Sequence, residues 1–271
     1  QEVELQQLQV NWSPRGLLYG QVEITRIEAA SLRVDAPPSS EATTLPESLE
    51  LPLPVRIAHL ALGKLLFGEH GEDPTVLAEG VEAELKSDGQ TYSIDRLQAQ
   101  FGQLEIAGEA TLAASAPYGL NAHASLKGRA LDQSFTLELR GSGPLAQIQV
   151  EGRIVAVAKV SGDLRAVLTP FAAQPVASLG AHFTGLDPAV FIAGAPQASL
   201  DVDVVLESQP AGPGESAAKG RLSVSNQSAG TLDRQLIPLE SLQSGVDWQQ
   251  GRLTFPGLTL ALTGGGKLKW Q

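Results

Sequence analysis

A period of two runs through this chain from end to end. A glycine or polar turn is followed by alternating residues: Val22 and Ile24 against Glu23 and Thr25, then Leu104 and Ile106 against Gln103 and Glu105. The phrase recurs as Phe135, Leu137 and Leu139, as Ile148 and Val150, and as Leu200, Val202, Val204 and Leu206. It closes with Leu222 and Val224, then Leu258, Leu260 and Leu262. Successive strand residues point to opposite faces, so each apolar set lines one side of a β-strand. Over 271 residues that amounts to a long one-sided sheet. Its apolar side needs a cover: a second sheet, helices or a ligand.

Turn residues interrupt the alternation about every ten residues, the spacing of an all-β meander, sandwich or barrel. Residues 1–35 read as opening strands and 36–50 as a Pro/Ser-rich loop. Residues 51–271 read as a continuation of the same elongated sheet, with a loop insertion at 208–220. Pro52 and Pro54 each remove a ladder donor, which places their segment at a sheet edge or strand start. One helix is predicted, with Asp187 as N-cap and Pro188 at its first position, ending near Ile192. Glycines inside strands, such as Gly102, Gly108, Gly152 and Gly162, read as bulges, bends or points of close backbone approach, and long strands that bend in this way make a curved sheet. The expected fold is therefore all-β: a long curved, U-shaped antiparallel sheet with an apolar groove and at most one or two short helices.

Charge narrows the partners. Nineteen basic residues are scattered among 30 acidic ones, for a net charge of −11. Nucleic acid needs clustered Lys and Arg, so it is excluded as a partner. The same charge gives no attraction to an anionic membrane surface. Cysteine is absent, which removes disulfides, thiol nucleophiles and thiolate metal sites. Methionine is absent too, and both termini lie in strand-like text. The chain reads as an interior segment of a longer protein. No stretch has the run of about 18 apolar residues that spans a membrane, and no signal-peptide pattern is present.

His59, His70, His123 and His182 are dispersed, and only Glu69-His70-Gly71-Glu72-Asp73 concentrates metal-ligand types. A solvated acidic turn accounts for that segment more simply. Asp201, Asp203 and Glu207 share a strand face, but they are the polar side opposite Leu200, Val202 and Val204. Gly264-Gly265-Gly266 leads into another strand and not a helix N-terminus, which excludes a phosphate loop. Trp12, Trp248 and Trp270 read as strand anchors. No enzyme and no cofactor or metal is expected.

Several phrases carry a family likeness. They are Leu51-Pro-Leu-Pro-Val-Arg-Ile followed by Leu60, Gly143-Pro-Leu leading to Val150, Leu186-Asp-Pro before an apolar run, and Ile237-Pro-Leu-Glu-Ser-Leu before Trp248. In this order the chain resembles the TamB family, within the AsmA-like group of bacterial envelope proteins. The resemblance implies a taco-like sheet that carries phospholipids between inner and outer membranes, supporting outer-membrane and autotransporter biogenesis. It implies a periplasmic location in a diderm bacterium, an inner-membrane anchor elsewhere in the full protein, and an outer-membrane barrel partner of the TamA kind. Phospholipid acyl chains would then lie on Val22, Ile24, Leu104, Ile106, Phe135, Leu137, Leu139, Ile148, Val150, Leu200, Val202, Val204, Leu206, Leu222, Val224, Leu258, Leu260 and Leu262. Two other readings stand beside it. One is a chaperone-like envelope assembly factor that binds client strands at its sheet edges; the other is a sealed β-rich structural spacer.

Overall fold

The computed structural model describes residues 2–36, 48–69, 74–130, 133–157, 160–172, 174–192, 194–209, 217–249 and 252–270. Eighteen strands are present, with one α-helix, α1 (Pro188–Phe191), among the described residues. The strands fall into two compact units: residues 1–127 with 140–146, and residues 128–139 with 147–271.

The first unit opens with β1 (Glu2–Gln6) and β2 (Gln9–Ser13), which both pair antiparallel with β3 (Val22–Ala36) on the same side of it. β4 (Val55–Glu69), β5 (Thr75–Ser87), β6 (Thr91–Phe101), β7 (Leu104–Ala113) and β8 (Gly119–Ala130) follow in order. Each of these pairs antiparallel with the one before it, except that β4 runs parallel to β3, Val22 facing Val55 and Ile24 facing Ile57. A parallel pair demands a crossover, and residues 37–54 supply it. The described part, Leu49–Pro54, crosses the strand ends. Leu49 N donates to Ala114 O (2.8 Å), Leu51 N to Gly89 O (3.1 Å), and Val22 N to Pro54 O (2.8 Å). The Tyr92 hydroxyl donates to Leu49 O. The strap bonds to Ala114, which is 0 % exposed; Tyr118, Ser87 and Ala83 are also buried in this unit. The adjoining hairpin turn follows from Asp88-Gly89, a short-range turn signal: Asp88 Oδ1 accepts from Gln90 N (2.9 Å) and Thr91 N (2.7 Å).

The second unit takes the tip of the hairpin between β8 and β9 (Gln133–Pro144), then β10 (Ile148–Val157), β11 (Val160–Leu168), β12 (Val176–Leu186), β13 (Leu200–Gln209), β14 (Ala217–Asn226) and β15 (Leu239–Gln249). From β10 to β15 each strand pairs antiparallel with its sequence neighbour. β16 (Arg252–Thr254) and β17 (Thr259–Leu262) both pair with β15, and β18 (Gly266–Lys269) pairs with β17. Between β12 and β13 stands α1, whose N-cap Asp187 accepts from Ala189 N and Ala198 N, both at 3.1 Å.

The register puts the apolar residues on one face. One row reads Val150, Ala166, Leu179, Leu206, Gly220, Val246; the next reads Leu164, Ala181, Val204, Leu222, Ser244; a third reads Phe183, Val202, Val224, Leu242, Leu260, Leu268. These side chains are mostly half-buried, and no large side chain among the described residues is fully buried.

The expected curved, U-shaped antiparallel sheet with an apolar groove is corrected. β3 and β4 make the sheet mixed, and it is neither closed nor strongly curled. The physical reason lies in the glycines. Gly108, Gly152 and Gly162 make room for cross-strand neighbours: a Cβ on Gly162 would overlap the Phe183 ring, and one on Gly108 would sit 2.6 Å from His123 O, while Gly102 (φ +58) has open space around it. Irregularities sit elsewhere too, as at Arg96 (φ +52), where β6 carries an extra residue paired with neither β5 nor β7. The expected loop at 208–220 is narrower in its described part, since β13 reaches Gln209 and β14 begins at Ala217.

Candidate functional site

An open sheet presents unpaired backbone at its edges, and the way each edge is guarded decides what it can bind. At the β18 edge, Trp270 N donates to Leu258 O (2.8 Å). The antiparallel alternation then turns the backbone groups of Lys267 and Lys269 outward, away from β17. Both outward-facing positions are lysines, the residue natural sheets use to keep other strands off.

The β2 edge is guarded differently. β1 and β2 form one line along β3, interrupted at Gln7 (φ +54). Glu2 and Glu4 charge the β1 half, but β2 reads Gln-Val-Asn-Trp-Ser, with no charge and no proline. Val10 faces Ile27 and Trp12 faces Ile24 across the ladder, and both are about half exposed. A short 3₁₀ helix, Pro14–Tyr19, follows directly. Pro14 starts it, and Gly20 in the left-handed region (φ +70) ends it, with its N–H on Leu17 O at 3.1 Å. Buried Gly16 lets the helix lie against β3, since a Cβ there would sit 2.9 Å from Gln21 O. Leu18 (83 % exposed) and Tyr19 (84 %) stand exposed on this helix, which directly follows β2. Among the described residues β2 is thus a five-residue strand paired on one side only, carrying exposed Val10 and Trp12 and followed by exposed Leu18 and Tyr19. It can offer main-chain hydrogen bonds and apolar contact.

The residues predicted for acyl chains are brought to common faces but not into a groove. Val22, Ile24, Leu104 and Ile106 share one face of the first unit through the rows Ile24–Ile57–Leu85–Ile94 and Ala99–Ile106. Ile148, Val150, Leu200, Val202, Val204, Leu206, Leu222, Val224, Leu260 and Leu262 share the apolar face of the second, and Leu139 lies against Gly152 on it. Phe135 and Leu137 precede Leu139 on β9, and Leu258 lies just before β17.

Of the histidines, His59 lies on β4, His123 faces Glu109 on β8, and His70 falls outside the described residues with most of its acidic turn. His182 Nδ1 is 2.6 Å from Asp203 Oδ1 on the polar face. That hydrogen bond and charge, with Asp163 and Asp201 nearby, raise its pKa above the ordinary 6.5. Among the described residues no group of three or more His, Asp or Glu converges to hold a metal.

Trp12 reads from the sequence as a strand anchor and Leu17-Leu18-Tyr19 as part of the opening strands, whereas the structure puts those three on a 3₁₀ helix. The signal was available: three apolar residues bracketed by Pro14, Gly16 and Gly20, where no strand alternation continues.

No protein-family model, curated protein or solved structure matches this chain. The TamB resemblance is corrected accordingly, because the mixed, uncurled sheet is unlike the curved taco of that family. The phospholipid-bridge reading falls with it: there is no curved apolar groove, and no helix among the described residues is long and apolar enough to cross a membrane.

Proposed function

We propose that this chain is a non-catalytic strand-binding scaffold that takes an extended client segment onto the open edge of β2. The observation that carries the reading is the contrast between the two edges. Lysines occupy the outward positions of β18, while β2 is uncharged and proline-free, carries exposed Trp12, and is followed by exposed Leu18 and Tyr19. A five-residue strand adds a few main-chain hydrogen bonds, each contributing about 0.5–1.5 kcal/mol net. After the cost of ordering the client, that supports weak, reversible binding strengthened by Trp12 and its neighbours. The preferred client alternates apolar and polar residues, so that its apolar side extends the face carrying Val10 and Trp12.

Proline scanning tests this directly. Val10→Pro and Asn11→Pro remove adjacent donors, one of which points outward and the other toward β3. Anisotropy of a labelled alternating peptide should show that one variant loses at least tenfold in affinity while keeping the wild-type unfolding midpoint. Lys267→Pro should bind as wild type. Binding that survives both β2 prolines, or that Lys267→Pro removes, would refute the assignment.

A further inference from the structure

The apolar face of the second unit is unusually clean. Across its rows from Ile148 to Leu268 no position carries a charge, and Ser208, Asn226 and Ser244 are its polar members. Charges sit one residue away on the opposite face: Glu151, Arg165, Asp163, Asp203, Glu207, Lys219 and Arg221. The face is also level. The Phe183 ring lies over Gly162, and Leu139 and Leu164 fill the space over Gly152. Two shallow depressions, of about 340 and 480 Å³, are bordered chiefly by polar-face residues and meet at Val205. A single peptide or helix needs a trough to dock into; a level apolar face is matched by another of its kind.

Size favours the same partner. Six strand spacings from β10 to β17 at about 4.8 Å, and rows covering about 20 Å along the strands, give roughly 600 Å² per copy. Two copies would bury roughly 1,200 Å² or more once side-chain relief is included, which reaches the range of specific, stable interfaces. We infer that this face packs against the same face of a second copy, two one-layer sheets closing into a sandwich about a twofold axis. With the charges on the outer faces, the net charge of −11 per chain stays in solvent and away from the contact.

The test is self-association of the full chain. Sedimentation equilibrium at concentrations of about 1–100 μM should show a monomer–dimer equilibrium. Val204→Asp, at the centre of the face, should weaken it at least tenfold with unchanged far-UV circular dichroism. Asp203→Lys, on the other face, should not. As a check independent of charge, Val204→Cys introduces the only thiol. Its maleimide labelling should slow at least tenfold from dilute to concentrated protein, while Asp203→Cys labels at one rate throughout. A chain that stays monomeric at about 100 μM, or a dimer indifferent to Val204→Asp, overturns the inference. A dimer dissolved by the β2 prolines and untouched by Val204→Asp also overturns it, assigning association to the edge.

Discussion

The pairing of Gly162 with Phe183 predicts an energetic coupling whose sign depends on the ring. A methyl at position 162 would overlap Phe183 Cδ1, approach Cε1 to 2.9 Å and His182 O to 3.0 Å. Forcing the ring aside costs about 1–3 kcal/mol, as overpacking does. Replacing glycine also removes freedom from the unfolded chain, which returns about 0.4–1 kcal/mol. Gly162→Ala should therefore destabilise by about 1–2 kcal/mol. Phe183→Ala removes the obstacle, leaving only the His182 carbonyl, which a shift of a few tenths of an ångström relieves. In that background Gly162→Ala should fall within about 0.5 kcal/mol of neutral, giving a coupling of roughly 1–2 kcal/mol, normal for contacting residues. Urea unfolding followed by circular dichroism and tryptophan fluorescence reads the effect. With an m-value of about 2–3 kcal/mol/M, the single variant should lower the midpoint by roughly half a molar. Coincident transitions from both probes are required for that conversion. Equal cost in the two backgrounds would refute the reasoning, since the ring could not then be what fills the space over Gly162.

Further outcomes follow from single side chains. Asp187→Ala strips acceptors from Ala189 N and Ala198 N and should cost about 1–2 kcal/mol in chemical denaturation. His182 has a raised folded pKa, so the stability it contributes is complete below 6.5 and is lost as pH rises through the folded value. NMR titration of the ring should show this, and Asp203→Asn should return it toward 6.5. Asp88 is lowered by the Gln90 and Thr91 N–H groups, so its contribution holds above 3.8 and is lost as pH falls through the folded value. Asp88→Asn should remove that acid limb from a plot of stability against pH.

Much of the strand layout was legible because alternation is a local signal. The sets at Leu200–Leu206 and Leu222–Val224 land on one face, and the Asp187-Pro188 start of α1 is where its cap and proline place it. Curvature was misread because an interior glycine has two causes in a sheet, a bend or a close neighbour. Gly108 and Gly162 have the second, which depends on the strand opposite. The parallel β3–β4 pair was hidden for a similar reason. The Leu51-to-Ile57 text looks the same whichever way its neighbour runs, and the direction is settled by hydrogen bonds to Ala114 and Gly89 far along the chain. The edge site escaped because edge status belongs to the ladder: Val10 and Trp12 alternate as interior strands do.

The neighbour-to-neighbour ladder of β10 to β15 also constrains how such a gene can change. Excising β11 and β12 together would leave β10 and β13 antiparallel, with Val150 still level with Leu206. Duplicating a hairpin would work equally well, each event altering the width by about 10 Å. Losing one strand would set two survivors parallel and demand a connection of a dozen or more residues. Viable descendants of this half therefore differ by even numbers of strands. An odd count should mark a lineage that also acquired a long crossover, such as the strap that serves β3 and β4.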